Sequence, residues 1–320
     1  MRRVVAVRLL HAVVVLFLVA TAAFFLIHAA PGDPFSFEND RIPAEIRDAW
    51  RRRYGYDRPL VEQYGRYLVS VARGDFGYSH SLHVPVREAI AERLPRTVLL
   101  MGLSLVLSFG IAIRLGVYEV RHRRERRARV ANGASLLMYS VPDFWLALVL
   151  LLTFAYWLPV LPAGQMVDTL HDYMTPGRAV WDRVRHLVLP LAALTLQLTA
   201  MLVRYQRSAL LEVLPADYVR TARAKGTDER AVIGRHALRN ALLPMITLAG
   251  VALPALVGGA VFVERVFSWP GMGLMAVNAI FLRDYPLVIA SALVGAAVVV
   301  VGSLLADIAY ALADPRVRVR

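Results

Sequence analysis

Six long apolar runs, separated by polar and mostly basic segments, dominate the hydrophobic pattern of this chain. They occupy residues 9–27, 97–118, 134–158, 186–203, 241–263 and 285–312. Each reaches or nearly reaches the length of about 20 residues that crosses a bilayer as a helix. Helices are the only expected form, because open strands in lipid would leave backbone groups without hydrogen bonds. The pattern therefore predicts an all-α, polytopic membrane protein with six transmembrane helices.

The first apolar run has an alternative interpretation, because three arginines precede it as they would in a secretory signal peptide. Residues 9–27 form a run of 19 residues, longer than the apolar core of about 7–15 residues that signal peptides carry. We therefore expect a retained first helix, with cleavage at Ala30 as the alternative. The expected parts are a tail and first helix (1–30), an external loop region (31–96) and a five-helix core (97–320).

The distribution of basic residues predicts the orientation. The N-terminus, the segment 121–129, the loop 204–240 and the C-terminal tail together carry 20 basic residues, whereas the short loops 159–185 and 264–284 carry 5. Because cytoplasmic loops carry an excess of arginine and lysine, both termini and the loop 204–240 are expected in the cytoplasm. The segment 31–96 carries 11 basic residues, but loops beyond about 60 residues translocate largely regardless of charge.

Composition narrows the possible functions. The chain is 58% apolar and has a net charge of +13, and its basic residues lie between apolar runs, which favours membrane topology over nucleic-acid binding. There is no cysteine, so disulfide and thiol chemistry are excluded. We find no phosphate-binding glycine loop, no HExxH and no dinucleotide fingerprint. His28, His186 and His236 are not spaced as metal ligands, so no metal site is expected.

The cytoplasmic loop contains a predicted helix, a glycine break and a second helix. Asp217 is expected to cap the first helix, since its carboxylate can accept hydrogen bonds from the free amides of the first turn. Tyr218, Val219 and Ala222 follow on one face at helical spacing. Gly226 suits the left-handed position that ends a helix.

The second helix of this loop is predicted to start at Thr227, as its cap, and to run through Arg235 and Asn240 towards the fifth apolar run. Asp228 and Glu229 would lie in its positively polarised first turn. On helix and charge arguments alone, the stretch could equally be an ordinary cytoplasmic loop of a membrane protein.

Two phrases of this loop, A-R-A-K-G at 222–226 and H-A-L-R-N-A-L-L-P at 236–244, resemble the EAA loop of ABC importer permeases. The closer resemblance is to the dipeptide, oligopeptide and nickel permease branch, although Arg220 stands near the position of the motif's glutamate. The resemblance implies a coupling helix that docks on a separate ATPase. The residues expected to carry the coupling are Asp217, Tyr218, Val219, Ala222, Ala224, Lys225 and Gly226.

The resemblance extends to the external segments. The loop 31–96 contains a P-G-D-P turn at 31–34, a P-L…Q-Y phrase at 59–64 that leads into an expected amphipathic helix at 61–72, and G-D-F-G-Y-S at 74–79. Downstream lie V-F-S-W-P-G-M-G at 266–273, a short apolar segment at 274–282 and a terminal D-P-R at 314–316. Gly302-Ser303 departs from the family pattern, where an asparagine is expected. The implied contacts with an external binding protein are Asp75, Trp269, Pro270 and Gly271.

Polar side chains inside the apolar runs are candidates for the translocation path, because they are costly to bury without a partner. Asp143, Gln197 and Thr199 are the candidates. Asp143 follows Pro142 and could either line a pore or pair with a basic residue at the cytoplasmic end. Gln197 and Thr199 could instead make hydrogen bonds between helices.

The resemblance predicts the non-catalytic membrane half of an ATP-driven importer in a bacterial inner membrane. Its partners would be a second similar permease, two ATPase subunits that bind ATP and Mg, and an external binding protein; this chain would hold no cofactor. Peptides are the expected cargo, with nickel or another small solute as the alternative. A secondary transporter or channel would instead show inverted repeats and central charges, and a membrane enzyme would need a catalytic constellation.

Overall fold

The computed structural model describes residues 2–29 and 58–313. Nearly all regular structure there is helical, and the strands β1 (Tyr78–Ser79) and β2 (Val84–Pro85) form one short antiparallel pair. The α-helices are α1 (Arg2–Ala29), α2 (Leu60–Ala72), α3 (Val86–Arg121), α4 (Arg126–Ser140), α5 (Asp143–Leu151), α6 (Pro176–Val213), α7 (Asp217–Ala224), α8 (Glu229–Ala231), α9 (Leu238–Ala241), α10 (Leu243–Val266), α11 (Met272–Phe281) and α12 (Tyr285–Ala313). The P-G-D-P turn and the terminal D-P-R lie outside the described residues.

Several described helices are long and apolar enough to cross a membrane. By length and composition they are Val7–Leu26 within α1, the whole of α3 and α6, and Tyr285–Ala306 within α12. A bent pair of helices makes a fifth span if it is counted as one. The all-α membrane fold is therefore confirmed, whereas the count of six spans stays a prediction.

The third predicted span, residues 134–158, is not one continuous helix, which corrects the sequence-based expectation. The structure has α4 ending at Ser140, then α5 and a π-helical turn at Leu152–Trp157, and the helix direction bends by 107° at the break between them. Pro142 explains the break, because it lacks an N–H and forces the preceding residue into an extended conformation. Val141 has φ −85° and ψ 130°, as this restriction requires.

The chain forms two compact units, one of residues 1–95 and 271–300 and the other of residues 96–270 and 301–320. In the first unit, α1 packs on the amphipathic helix α2, which confirms the helix expected at 61–72. Tyr64 shares a hydrogen bond of 2.7 Å with Thr21, and the Tyr67 hydroxyl donates to the carbonyl of Ala20 at 3.1 Å. Burial raises the pKa of Tyr67 to about 12, so its hydroxyl keeps its proton and remains a donor.

A second core in this unit joins α3, α11 and α12. Val86 and Ile90 of α3 are buried with Met275 of α11 and Leu287 of α12, and the β1–β2 hairpin packs against them. The short apolar helix expected at 274–282 is α11, at Met272–Phe281.

The buried carboxylate of Asp284 ties the hairpin to the start of α12. Its Oδ2 accepts hydrogen bonds from Ser79 Oγ at 2.6 Å, Ser81 Oγ at 2.7 Å and the Ser81 backbone N–H at 2.9 Å. Its Oδ1 lies 3.3 Å from the backbone nitrogen of Leu287, in the first turn of α12. One charged side chain thus satisfies donors from two segments that are some 200 residues apart in sequence.

We predict that Asp284→Ala lowers the free energy of unfolding by about 3 kcal/mol, because hydrogen bonds to a charged group contribute roughly 1.5–3 kcal/mol each and buried hydroxyls would lose their acceptor. Thermal unfolding of the purified chain measures this. Glu88→Ala, at an exposed position of the same unit, is the matched control and should unfold like the parent. Equal melting temperatures for Asp284→Ala and the parent would contradict the structural role.

Candidate functional site

The helix α7 lies in the predicted cytoplasmic loop and ends where Gly226 adopts φ +80°. The Gly226 N–H donates to the carbonyl of Arg223 at 2.9 Å, and the Thr227 N–H donates to the carbonyl of Ala222 at 3.2 Å. This pair of bonds is a Schellman motif, in which a left-handed residue satisfies carbonyls that the helix end leaves free. The predicted glycine termination is therefore confirmed. Gly226, two residues after the last residue of α7, fixes both where the helix stops and where the chain turns.

Val219 and Ala222 of α7 face the interior of this chain. Val219 is 0% exposed and Ala222 is 7% exposed. They pack in a cluster with Val120 at the end of α3, Leu210 near the end of α6 and Ile233 after α8. We call this set of buried residues the coupling core; its further members are Ala209, Val232, Ala237 and Ala241.

The coupling core corrects the expectation that Val219 and Ala222 are presented to a partner. Full burial of a valine side chain contributes about 1.5–3 kcal/mol, so turning this face outward would forfeit that stabilisation. Both residues therefore hold α7 in place. Tyr218, the third member of the expected face, stays half exposed, and its hydroxyl accepts a hydrogen bond from Asn240 Nδ2 at 2.7 Å.

The opposite face of α7 is exposed and carries Asp217, Thr221 and Ala224, with Lys225 and Gly226 also exposed just beyond it. The sequence-based interpretation did not single out Thr221; the helical positions opposite Val219 and Ala222 would have identified it. The predicted capping role of Asp217 is wrong, because Asp217 is the first residue of α7 and Ala216 precedes it without a side-chain bond. Its carboxylate instead pairs with Arg220 at 2.7 Å.

The segment after Gly226 is helical but irregular. Asp228, and not the predicted Thr227, caps α8, because its carboxylate accepts from the Arg230 N–H at 3.0 Å. A π-helical turn at Val232–Ala237 follows, then α9 and α10. The turn places Val232, Ile233 and Ala237 in the coupling core.

A two-point ion pair joins α7 to α8. Arg223 donates to the Glu229 carboxylate from Nη2 at 2.7 Å and from Nε at 3.0 Å. These hydrogen bonds lower the pKa of Glu229 and raise that of Arg223. A depressed glutamate pKa means that the pair's contribution is present at neutral pH and is lost only as the pH falls through that lowered value. Because both side chains are substantially exposed, the pair orients the loop more than it stabilises it.

Of the candidates for the translocation path, Gln197 lies at the bend between α4 and α5. Its Nε2 donates to the carbonyl of Val141 at 2.9 Å, which is the backbone group that the break before Pro142 exposes. Gln197 Oε1 has no hydrogen-bond partner among the described residues. Gln197 thus supports a helix break, as expected for a polar side chain between membrane helices. Asp143 begins α5 at the same break and is half buried.

Thr199 does not lie with Gln197. Two positions apart on a helix, the side chains point in nearly opposite directions, and Thr199 is buried on the face of α6 that also carries Thr195. Thr195 contacts Ser104 and Ser108 of α3. The structure therefore brings Asp143 and Gln197 to one break and sets Thr199 apart from them.

The residues expected to contact an external binding protein differ in their exposure. Asp75 is exposed, and its carboxylate accepts from the Gly77 N–H at 3.1 Å. Trp269 is 1% exposed and Gly271 is buried, while Pro270 is half buried. The Trp269 side chain is therefore too deeply buried in this structure to contact a binding protein, which corrects the expectation. Residues 2–29 and 58–313 contain no group of three His, Asp or Glu side chains arranged to hold a metal ion.

Comparison with known families assigns the chain. Residues 105–319 match the family described as binding-protein-dependent transport system inner membrane component, and residues 1–101 match its N-terminal companion family. The chain belongs to this family. Its members are the non-catalytic membrane subunits, or permeases, of ABC transporters.

Relatives of this permease match it over almost their whole length. It is 39% identical over 312 residues to the oligopeptide transport system permease protein AppB of Bacillus subtilis, covering 97% of each chain. It is 39% identical over 317 residues to a putative peptide permease protein of Brucella ovis, covering 98% of each. It is 34% identical over 313 residues to the dipeptide transport system permease protein DppB of Escherichia coli, covering 92% of each.

We predict that Gly226→Val strains the end of α7, because a β-branched residue at φ +80° costs on the order of 1–3 kcal/mol. Among the described residues, a Cβ at this position meets nothing within 4 Å, so the effect comes from the backbone. The rate of tryptic cleavage after Lys225 measures the fraying and should rise at least severalfold. Gly226→Asn, which tolerates the left-handed region better, should be cleaved more slowly than Gly226→Val. Equal cleavage of all three proteins would contradict the strain.

Proposed function

We propose that this permease forms half of the translocation pathway of an ATP-driven importer for peptides, with α7 as the helix that receives an ATPase subunit. The observation that carries the proposal is that α7 is buried on one face and exposed on the other. One face is fastened to α3 and α6 through the coupling core, and the other face is exposed at Asp217, Thr221 and Ala224. A short helix of this kind can pass a displacement from a partner to two long apolar helices.

Docking on the ATPase would use the exposed face. Ala224 and Thr221 are small enough to let the helix approach a groove closely, and Asp217 lies at the same face in the first turn. Closure of the ATPase dimer on ATP would draw α7 along, and the coupling core would transmit the movement to Val120 of α3 and Leu210 of α6. Because buried apolar contacts are close-packed, such an element moves as one body.

The partners would be a second homologous permease, two ATPase subunits and an external substrate-binding protein. ATP and Mg would be bound by the ATPase subunits, and this chain would hold no cofactor. Asp75 and Tyr78 of the hairpin segment are exposed and could meet the binding protein. Peptides are favoured as cargo because the relatives carry oligopeptide, peptide or dipeptide in their names. The location would be a bacterial inner membrane.

We predict that Ala224→Asp abolishes association with the ATPase, because it places an unpaired charge in the docking contact. Since Ala224 is exposed, the free permease should unfold at the parental temperature. Co-purification with the ATPase subunits and uptake of labelled peptide in proteoliposomes measure the effect, and we expect at least a tenfold loss of uptake.

Two comparisons make this test specific. Ala222→Asp places a charge in the coupling core, so it should lower both the melting temperature of the permease and the uptake. Arg129→Ala, at an exposed position of α4 outside the loop, should leave both unchanged. Parental uptake by Ala224→Asp would show that this face does not receive the ATPase.

We further predict six membrane spans with both termini in the cytoplasm, because the predicted cytoplasmic segments carry 20 basic residues against 5 in the short external loops. The chain contains no cysteine, so a thiol reagent reacts only with the cysteine that each variant introduces. Tyr78→Cys should react with an impermeant thiol reagent added outside intact cells, and Asp228→Cys should react only after permeabilisation. Ser79 is unsuitable for this test because it is fully buried against Asp284. Labelling of both variants from outside would refute the orientation.

A further inference from the structure

A line of buried polar side chains runs along the contact between α3 and α6. We call it the polar seam. Its members are Ser104, Ser108 and Glu119 of α3 and Thr195, Thr199 and Gln206 of α6, and all are at most 7% exposed. Ser104 contacts Thr195, and twelve residues later Gly116 contacts Gln206. Because the contacts follow the same order along both helices, α3 and α6 run in the same direction.

The half of the seam farther from the coupling core is fastened by hydrogen bonds. Ser108 Oγ donates to the carbonyl of Thr195 at 3.1 Å. The hydroxyls of Thr195 and Ser104 lie 3.5 Å apart. These contacts satisfy buried hydroxyls in a setting where water is scarce, and they hold the two helices together at this level.

In the part of the chain that the structure describes, the half nearer the coupling core lacks such bonds. The amide nitrogen and oxygen of Gln206, both carboxylate oxygens of Glu119 and the hydroxyl of Thr199 have no hydrogen-bond partner among the described residues. Gln206 is 0% exposed and Glu119 is 2% exposed. The only ion pair that the described chain gives Glu119 is with Arg207, whose Nε lies 3.7 Å from Oε2. Buried polar groups without partners are rare and call for an explanation.

Gly116 shows how closely the helices approach at this level. A Cβ built on Gly116 would lie 2.8 Å from Cγ of Gln206, so the aliphatic part of the glutamine rests directly on the glycine. Glu119 is one turn further along the same face of α3. The Gln206 amide and the Glu119 carboxylate thus belong to neighbouring positions of one interface, without a hydrogen bond between them.

This unfastened half adjoins the coupling core. Val120, next to Glu119, and Ala209 and Leu210, one turn after Gln206, are members of that core and pack with Val219 and Ala222 of α7. Any displacement of α7 therefore reaches the seam at the end where polar groups have no hydrogen-bond partner among the described residues.

We propose that Gln206 and Glu119 are positioning residues for energy coupling, which form a hydrogen bond with each other in a second transport state. This inference rests on the proposed function of α7. In the state described, both groups are buried without that bond. A displacement of the coupling core as one body bends the adjoining ends of α3 and α6, which lets the two side chains change rotamer and the amide of Gln206 donate to the carboxylate. The pair thus favours the second state by differential interaction, as a two-state element must.

The test uses the complete transporter, with its ATPase subunits, in proteoliposomes. Gln206→Leu removes an unpartnered polar group at similar volume, so the nucleotide-free complex should unfold at the parental temperature or above. The ATPase rate stimulated by loaded binding protein should fall at least fivefold, with an unchanged KM for ATP. Glu119→Leu should lower the stimulated rate similarly, whereas Glu119→Gln, which can still accept a hydrogen bond, should retain most of it. The double Leu variant should be no worse than either single one, because the two groups act as a pair.

Ser108→Ala is the matched control in the fastened half. It should lower the melting temperature and leave the stimulated rate unchanged. A clear drop in melting temperature for Gln206→Leu would mean that the amide already has a partner, such as a bound water, and would overturn the proposal. Parental stimulation of Gln206→Leu, or additive losses in the double variant, would also overturn it. A parent complex without stimulated ATPase activity would instead refute the proposed function itself.

Discussion

The burial of one face of α7 in the coupling core is the constraint on which the functional geometry depends. Val219 and Ala222 are only two apolar residues in a helix of eight, yet they attach that helix to the ends of α3 and α6. The Schellman ending at Gly226 and the Arg223–Glu229 ion pair then fix where the helix stops and how the chain continues. A helix this short is marginal by itself, so its position is determined by what it packs against.

Buried polar groups have little access to water, which explains why the polar side chains deeper in the chain form hydrogen bonds with distant segments. The break at Pro142 exposes the Val141 carbonyl, and Gln197 donates to it. In the other unit, Asp284 accepts from Ser79 and Ser81. In both places one side chain provides the hydrogen-bond partner for polar groups of a segment that is distant in sequence. The polar seam differs, because its half near the coupling core has groups that the described residues leave without hydrogen bonds.

The difference between satisfied and unsatisfied buried polar groups suggests how a permease without its own nucleotide-binding loop responds to ATP. Satisfied groups and close-packed apolar contacts make rigid parts, whereas buried groups without hydrogen bonds call for an explanation; under our proposal they mark where a second arrangement is available. In this chain the rigid part is the coupling core, and Glu119 and Gln206 lie directly beside it. The movement of α7 would therefore act on the portion of the α3–α6 contact that is least fastened.

The sequence alone determined the helical membrane class, the family and the glycine that ends α7, because apolar run length, a long compound motif and the left-handed preference of glycine are local properties. It did not determine which face of α7 is free, since Val219 and Ala222 would look the same whether they met a partner or their own chain. From the sequence, Trp269 was likewise expected to be an exposed aromatic residue of a loop, and only the fold buries it. Nor did it reveal that Gln206 meets Gly116. Those facts depend on which helices are neighbours, and burial is decided by neighbours that are distant in sequence.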